Sequence, residues 1–221
     1  MQIKRAVSFF RYSKLKSLSR QLFLLLKYAI KYKKFTFNLN TKRYWDENLG
    51  SMGDFWRDVH YRHILDMFPA DEKFSLLDVG CALGDGCELI HSHFPKAEVT
   101  GIDFSEVGIK KAGERGSGVN YMVADIVKDP VPGEYDYVAI VETLEHFDDP
   151  YPIVDKLLKH VKKSMIISVP YCDATRKLKG VDWHKYQFNE KAFEKYNCRI
   201  VRITEHIEAT GNRCIIFEIK P

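Results

Sequence analysis

Two carboxylates and an imidazole stand together at Glu142, Glu145 and His146, directly after the apolar run Tyr135-Asp-Tyr-Val-Ala-Ile-Val141. A run of that kind is a buried strand, so the three groups sit just past its carboxyl end. Two chemistries are open to them. They could hold a divalent ion, which lowers the pKa of a bound hydroxyl. Alternatively, the imidazole takes a proton directly as a general base. A second imidazole, His184, lies in a later polar stretch between Trp183 and Tyr186. It offers another base or a further ligand, and the two aromatics offer faces on which a sugar or ring could stack.

A second constellation binds rather than reacts. Leu76-Leu77-Asp78-Val79 runs into Gly80-Cys81-Ala82-Leu83-Gly84-Asp85-Gly86, and Gly101-Ile102-Asp103 follows. An apolar run ending in a Gly-rich turn, with an acid roughly twenty residues on, holds a nucleotide-like cofactor at the carboxyl edge of a parallel sheet. Asp103 would accept hydrogen bonds from ribose hydroxyls. It is followed by Phe104-Ser105, and Ser105 already offers the cap for the next helix. The glycine spacing is Gly80-x-x-x-Gly84-x-Gly86, which is not the G-x-G-x-x-G of a dinucleotide site. A third apolar run, Tyr121 to Ala124, ends at Asp125-Ile126.

These landmarks resemble, in order and spacing, the class I S-adenosylmethionine-dependent methyltransferases. Asp78-x-Gly80-x-Ala82-x-Gly84 resembles the family's D-x-G-x-G-x-G, with Ala82 in place of the middle glycine. The resemblance covers residues 74–170 and continues more weakly to the end of the chain. It implies S-adenosylmethionine as cofactor, held by Asp78, Gly80, Cys81, Ala82, Gly84, Asp103, Phe104, Asp125, Ile126 and Glu142. Asp125 would contact the adenine amino group. Asp78 would reach the cofactor's amino group through water or brace the loop. Glu142, His146 and His184 become the candidate catalytic residues. The E-x-x-E-H tail is similar to that of ubiquinone-pathway and small-RNA 2′-O-methyltransferases, which use a divalent ion. That implies Glu142, Glu145 and His146 as a set for Mg²⁺. Metal-free members with a similar tail imply instead a cofactor-side Glu142 and a base at His146.

The expected reaction is O-methylation of a hydroxyl on a saccharide or a lipid-linked small molecule. A quinone-like lipid and an RNA 2′-hydroxyl are the alternative acceptors, with nucleic acid the weaker because no RNA-binding domain is evident. The stretch Val169-Pro170-Tyr171-Cys172 differs from the N-P-P-Y of amino-directed nucleic-acid methyltransferases, which favours an oxygen acceptor. From a different class, a catalytically silent cofactor-binding module stays open.

To bring these groups to one edge, strands and helices must alternate. Strands are expected near 75–80, 98–103, 119–124, 135–141 and 164–169. Helices are expected near 85–94, 105–114 and 150–162. A last helix, 189–196, should precede strands 199–206 and 213–219, with Gly211-Asn212 as the turn between them. The expected fold is α/β: a Rossmann-like, doubly wound, seven-stranded sheet, mostly parallel with the last strand antiparallel, as the resemblance implies. Residues 44–68 read as one or two helices with Tyr44, Trp45, Phe55, Trp56, Tyr61, Ile64 and Leu65 as apolar content. These either cover the cofactor cleft or pack on the sheet.

At 221 residues, one domain plus an extension is expected, divided into 1–43 and 44–221. Five scattered cysteines without a C-x-x-C pair read as reduced thiols of a cytoplasmic protein and argue against a zinc motif. The net charge of +4 conceals an asymmetry. The stretch from Met1 to Trp45 holds 12 Lys or Arg and no acid, which leaves 22 basic against 30 acidic residues in the rest. Leu15, Leu18, Leu22, Leu25, Ala29 and Tyr32 form an apolar helical stripe opposite Lys16, Arg20, Lys27, Lys31 and Lys34. The block Leu22 to Leu26 is too short to span a bilayer, which takes about 20 residues. A basic amphipathic helix of this kind suits an anionic membrane surface, so residues 1–34 are expected to place the protein on the inner face of the membrane, with nucleic acid, a charged glycan or the chain's own acidic domain as the alternative partners of the arm.

Overall fold

The computed structural model describes residues 40–51, 58–171, 184–205 and 213–221. The basic stripe of residues 14–34, and with it the N-terminal helical extension, lies outside the described residues. So do Phe55, Trp56, Cys172, Trp183 and the Gly211-Asn212 turn.

Seven strands form one sheet: β1 (Ser75–Val79), β2 (Glu98–Asp103), β3 (Asn120–Val123), β4 (Tyr135–Val141), β5 (Val161–Pro170), β6 (Cys198–Ile203) and β7 (Cys214–Ile219), in the order β3-β2-β1-β4-β5-β7-β6. The pairs among β1 to β5 are parallel, and β7 runs antiparallel to both β5 and β6. This is the seven-stranded, Rossmann-like sheet with one reversed strand that was expected. Both faces are buried, so side chains alternate between two cores. Leu77, Val79, Met165, Ile167, Ile215 and Phe217 enter one, and Leu76, Ala139, Ile166 and Ile216 enter the other.

Among the described residues, two α-helices precede the sheet and three connect its strands. They are α1 (Lys42–Ser51), α2 (Asp58–Tyr61), α3 (Asp85–His93), α4 (Glu106–Gly113) and α5 (Tyr151–Leu158). Ser105 caps α4 by accepting from the Gly108 N–H at 3.0 Å. In α5, Ile153, Val154 and Leu157 form the buried stripe. The β5 strand starts earlier than expected because the Tyr135 N–H bonds to the His160 carbonyl at 2.9 Å and Tyr135 pairs with Val161.

One expected element is absent. Residues 189–196 form consecutive turns rather than a helix. The Asn189 carboxamide accepts the Lys191 N–H at 2.9 Å, which ties the backbone into a local turn. The Ala192 carbonyl, which a helix would give to Tyr196, instead accepts the Tyr151 hydroxyl at 2.8 Å. Tyr196 N–H bonds to Phe193, one residue too near for an α-helix. Tertiary anchoring of the buried Phe188 and Phe193 outweighs the segment's weak helical preference.

Candidate active site

The parallel strands deliver the expected site residues to one edge. β1 lies between β2 and β4, so the chain winds in opposite directions from it, and open sheets of this kind hold their ligands at the carboxyl edge where the order reverses. Asp103 ends β2, Asp125 follows β3, and Glu142 follows β4.

The Gly-rich turn is held from below. Asp78 is fully buried and accepts the Tyr61 hydroxyl at 2.9 Å and the Cys87 thiol at 3.1 Å. Burial pushes its carboxyl up to about 6. Asp78 therefore braces the loop through Tyr61 and Cys87. Cys81 is buried too, and burial raises its thiol to about 11, so it packs as an uncharged side chain. Gly80 has φ +81°, and a methyl there would meet the Thr143 hydroxyl at 2.4 Å. The absence of a side chain lets the tail of β4 lie directly against the turn.

Ala82, in place of the family's middle glycine, adopts φ +52°. An L-residue there carries a cost of roughly 1–2 kcal/mol. Two contacts hold it. Its N–H donates to Asp103 Oδ2 at 3.0 Å, and its methyl packs with Leu49 and Leu83 under Trp45. The other oxygen of Asp103 accepts the Ser105 N–H at 2.8 Å. Asp103 thus joins the turn after β1 to the start of α4. Gly84 caps α3 with φ +80°. Phe104 is half-buried beside Asp103. Asp125 closes its own turn, accepting the Val127 N–H at 3.0 Å and the Lys128 ammonium at 2.6 Å, while Ile126 is buried in the core.

The segment 44–68 divides between the two roles weighed for it. In α1, Trp45 packs on the Ala82 cluster and lies edge-on to His146, with ring centroids 5.2 Å apart. Asp46 anchors this helix by accepting the Ser105 hydroxyl at 2.5 Å. Tyr61, Ile64 and Leu65 pack against the sheet instead.

The E-x-x-E-H residues separate into two groups. Glu145, 1% exposed, has an oxygen 3.9 Å from His146 Nε2 and 4.0 Å from His184 Nε2. The two rings lie edge to face at 5.2 Å. His184 reaches this place because the Lys185 and Tyr186 N–H groups both donate to the Glu145 carbonyl, at 2.6 and 3.1 Å. Tyr186 itself turns into the core, where its hydroxyl meets that of Tyr151 at 2.9 Å. Glu142, with φ +49°, sends its carboxylate the other way, to His60 and Cys214. Ligand atoms of Glu145, His146 and His184 lie within 4.8 Å of one another, and so do those of His60, Glu142 and Cys214. The expected set Glu142, Glu145 and His146 is not one of these two groups. A positive φ at Glu142 and the 3₁₀ turn Leu144–His146 point the two glutamates apart.

Trp45, Tyr61, His60 and Cys214 were not among the sequence candidates for the site. Trp45 and Tyr61 were legible only as apolar content. His60 and Cys214 carry no spacing signal at all.

The fold is α/β, and it brings a Gly-rich turn and the strand-end acid Asp103 to the carboxyl edge of its sheet. The chain belongs to the family described as the methyltransferase domain, whose model matches residues 70–213. It is 31% identical over 109 residues to a malonyl-[acyl-carrier protein] O-methyltransferase of Acetivibrio thermocellus, covering 48% of this chain and 38% of that protein. It is 32% identical over 131 residues to a ubiquinone biosynthesis O-methyltransferase of Dechloromonas aromatica, covering 54% and 53%. The chain thus spans about half or less of the length of these relatives. Its fold matches that of a magnesium protoporphyrin IX methyltransferase from Synechocystis PCC 6803 with bound S-adenosylhomocysteine, at 16% identity and a TM-score of 0.62, over 83% of this chain and 96% of that one. Among the described residues, no helix is long and apolar enough to cross a membrane.

Proposed function

We propose that this chain binds S-adenosylmethionine in the crevice beside β1 and β2 and transfers its methyl group to a hydroxyl oxygen. The observation that carries the reading is Trp45, which packs on the Gly-rich turn and on the ring of His146 at once. Cofactor turn and proton acceptor are one side chain apart. The residues suit the cofactor: Asp103 ends β2 at the carboxyl edge, where an acid accepts ribose hydroxyls, and its carboxylate holds the Ala82 N–H of the Gly-rich turn. When bound, the cofactor supplies an electrophilic methyl on a sulfonium.

The chain's own contribution is positioning and proton removal. The acceptor oxygen forms a bond to the methyl carbon as the carbon–sulfur bond breaks. Its proton passes to the His146 or His184 ring, and the buried Glu145 carboxylate lies 3.9 and 4.0 Å from them as a counter-charge. An ion-assisted route, as in the E-x-x-E-H O-methyltransferases, would use Glu145, His146 and His184. Two nitrogen donors and one oxygen suit Mg²⁺ poorly, because Mg²⁺ prefers oxygen ligands. The base route is therefore the reading favoured here. The acceptor class favoured is a saccharide or lipid-linked hydroxyl, because the basic stripe of residues 14–34 would hold the enzyme at an anionic membrane surface.

The test is methyl transfer from labelled cofactor into lipid, glycan and RNA extracts, with mass spectrometry of the product. His146→Ala and His184→Ala should between them lose roughly 10²–10⁴-fold in rate, and excess chelator should leave the wild-type rate unchanged. Label entering no fraction would sink the enzyme reading. Loss of activity with chelator, restored by Mg²⁺, would replace the base route with the ion route.

A further inference from the structure

A second group of ligating side chains stands apart from Glu145 and its histidines. His60 comes from α2, Glu142 from the turn after β4, and Cys214 from the start of β7. Cys214 Sγ lies 3.3 Å from Glu142 Oε1 and 3.4 Å from His60 Nδ1, and that nitrogen is 3.8 Å from the same carboxylate oxygen. Three donors around one ion in tetrahedral array, with bond lengths of about 2.0–2.3 Å, would be separated by about 3.4–3.7 Å. The three observed edges, 3.3, 3.4 and 3.8 Å, lie within a few tenths of an ångström of that range.

We propose that His60, Glu142 and Cys214 form a three-ligand site for a divalent transition ion, Zn²⁺ above all. Thiolate, imidazole and carboxylate are the donors that Zn²⁺ accepts, whereas Mg²⁺ and Ca²⁺ require oxygen. His60 and Cys214 are 5% and 1% exposed, while the Glu142 side chain is 22% exposed. The fourth position therefore opens on the Glu142 side, toward the crevice, and takes water or a ligand atom.

To bind an ion, the Cys214 thiol must give up its proton. Burial first, and then the neighbouring Glu142 carboxylate, hold it well above its usual range, so without an ion it is a thiol donating to Glu142. An ion in the centre displaces that proton and supplies the charge that the buried sulfur and carboxylate lack. Ser168, 1% exposed on the neighbouring strand, places its hydroxyl beside this sulfur, where it can donate to a thiolate. The pairing Pro170↔Cys214 fixes the sulfur at the strand end. The positive φ of Glu142 brings the carboxylate to it.

The experiment uses the full chain after dialysis against chelator, titrated with Co²⁺ and, separately, with Zn²⁺ by calorimetry in two buffers of different ionisation enthalpy. One Co²⁺ per chain should give a sulfur-to-cobalt charge-transfer band that Zn²⁺ abolishes, with close to one proton released per ion. Cys214→Ser should lose the band. His60→Gln should weaken Co²⁺ binding by at least about tenfold, the lower end of what loss of a mere supporting partner costs a metal site. His184→Ala should leave both unchanged. Circular dichroism confirms folding, and if Cys214→Ser is unfolded, Glu142→Gln with His60→Gln gives the same reading. No charge-transfer band in folded wild type overturns the proposal, as does a band that survives in Cys214→Ser. A band lost with His184→Ala would move the ion to the other cluster, and so overturn it as well.

Discussion

The ring of Tyr61 fills the space where Gly86 lacks a side chain: a methyl on Gly86 would meet three ring carbons at 2.1–2.3 Å. The same ring carries its hydroxyl to Asp78 at 2.9 Å. The last glycine of the turn therefore serves the protein's own interior, seating the tyrosine that braces the loop. Gly86→Ala should displace Tyr61 and destabilise the fold by roughly 1–3 kcal/mol, the usual cost of overpacking a filled core. Urea unfolding measures this. Unchanged stability would mean that Tyr61 repacks freely.

Asp78 should make stability depend on pH. Its folded pKa is about 6, above the 3.8 of an unperturbed aspartate, because burial penalises the charge. A raised carboxyl pKa means that its contribution is fully present below about pH 4 and is lost as pH rises through 6. The difference corresponds to about 3 kcal/mol at 1.36 kcal/mol per unit. Wild type should lose stability relative to Asp78→Asn between pH 4 and pH 7 by about 2–3 kcal/mol. Denaturant titrations of both proteins at the two pH values settle it. Parallel curves would show that Asp78 ionises normally.

At Ala82, φ of +52° is comfortable only for glycine. Ala82→Gly removes a strain of roughly 1–2 kcal/mol but adds about 0.5–1 kcal/mol of unfolded-state entropy. It also removes a small contact with Leu49 and Leu83. The expected net change is within about 1 kcal/mol of zero, with Asp103 still bonded to the turn. A loss of more than about 2 kcal/mol in thermal or denaturant unfolding would show that the methyl contact, and not the strain, dominates.

Asp103→Asn should weaken binding of S-adenosylhomocysteine by at least about tenfold, or about 1.4 kcal/mol. Both oxygens of Asp103 accept backbone N–H groups, from Ala82 and Ser105. An amide must present its NH₂ to one of them, which loosens the turn as well as losing the charged acceptor. Isothermal calorimetry reads the affinity, and an unchanged Kd would place the ribose elsewhere.

Much of this architecture could be read from residue order, because it depends on local physics. The apolar runs Leu76–Val79 and Tyr135–Val141 announced β1 and β4 as strands buried on both faces. Ser105 announced the start of α4, since a hydroxyl at that position satisfies a free N–H whatever packs around it. The pairing of Asp103 with a glycine-rich turn was legible for the same reason: in a parallel sheet, successive strand ends must arrive at one edge. The sequence also marked Ala82 as the departure in that turn, though not that it takes the glycine conformation.

Only the tertiary structure decided which polar groups meet. Glu142 and Glu145 are three residues apart and were read as one set, yet a positive φ and a single 3₁₀ turn send one carboxylate to His60 and Cys214 and the other to His146 and His184. His60 and Cys214 are separated by 154 positions. Their contact depends on β7 pairing with β5 at Pro170↔Cys214 and on Tyr61 being drawn down to Asp78. The turns at 189–196 replaced a helix because a distant tyrosine took one of its carbonyls. Each outcome depends on closure of long loops, whose cost is recovered only when the whole sheet forms, and no local pattern of residues encodes it.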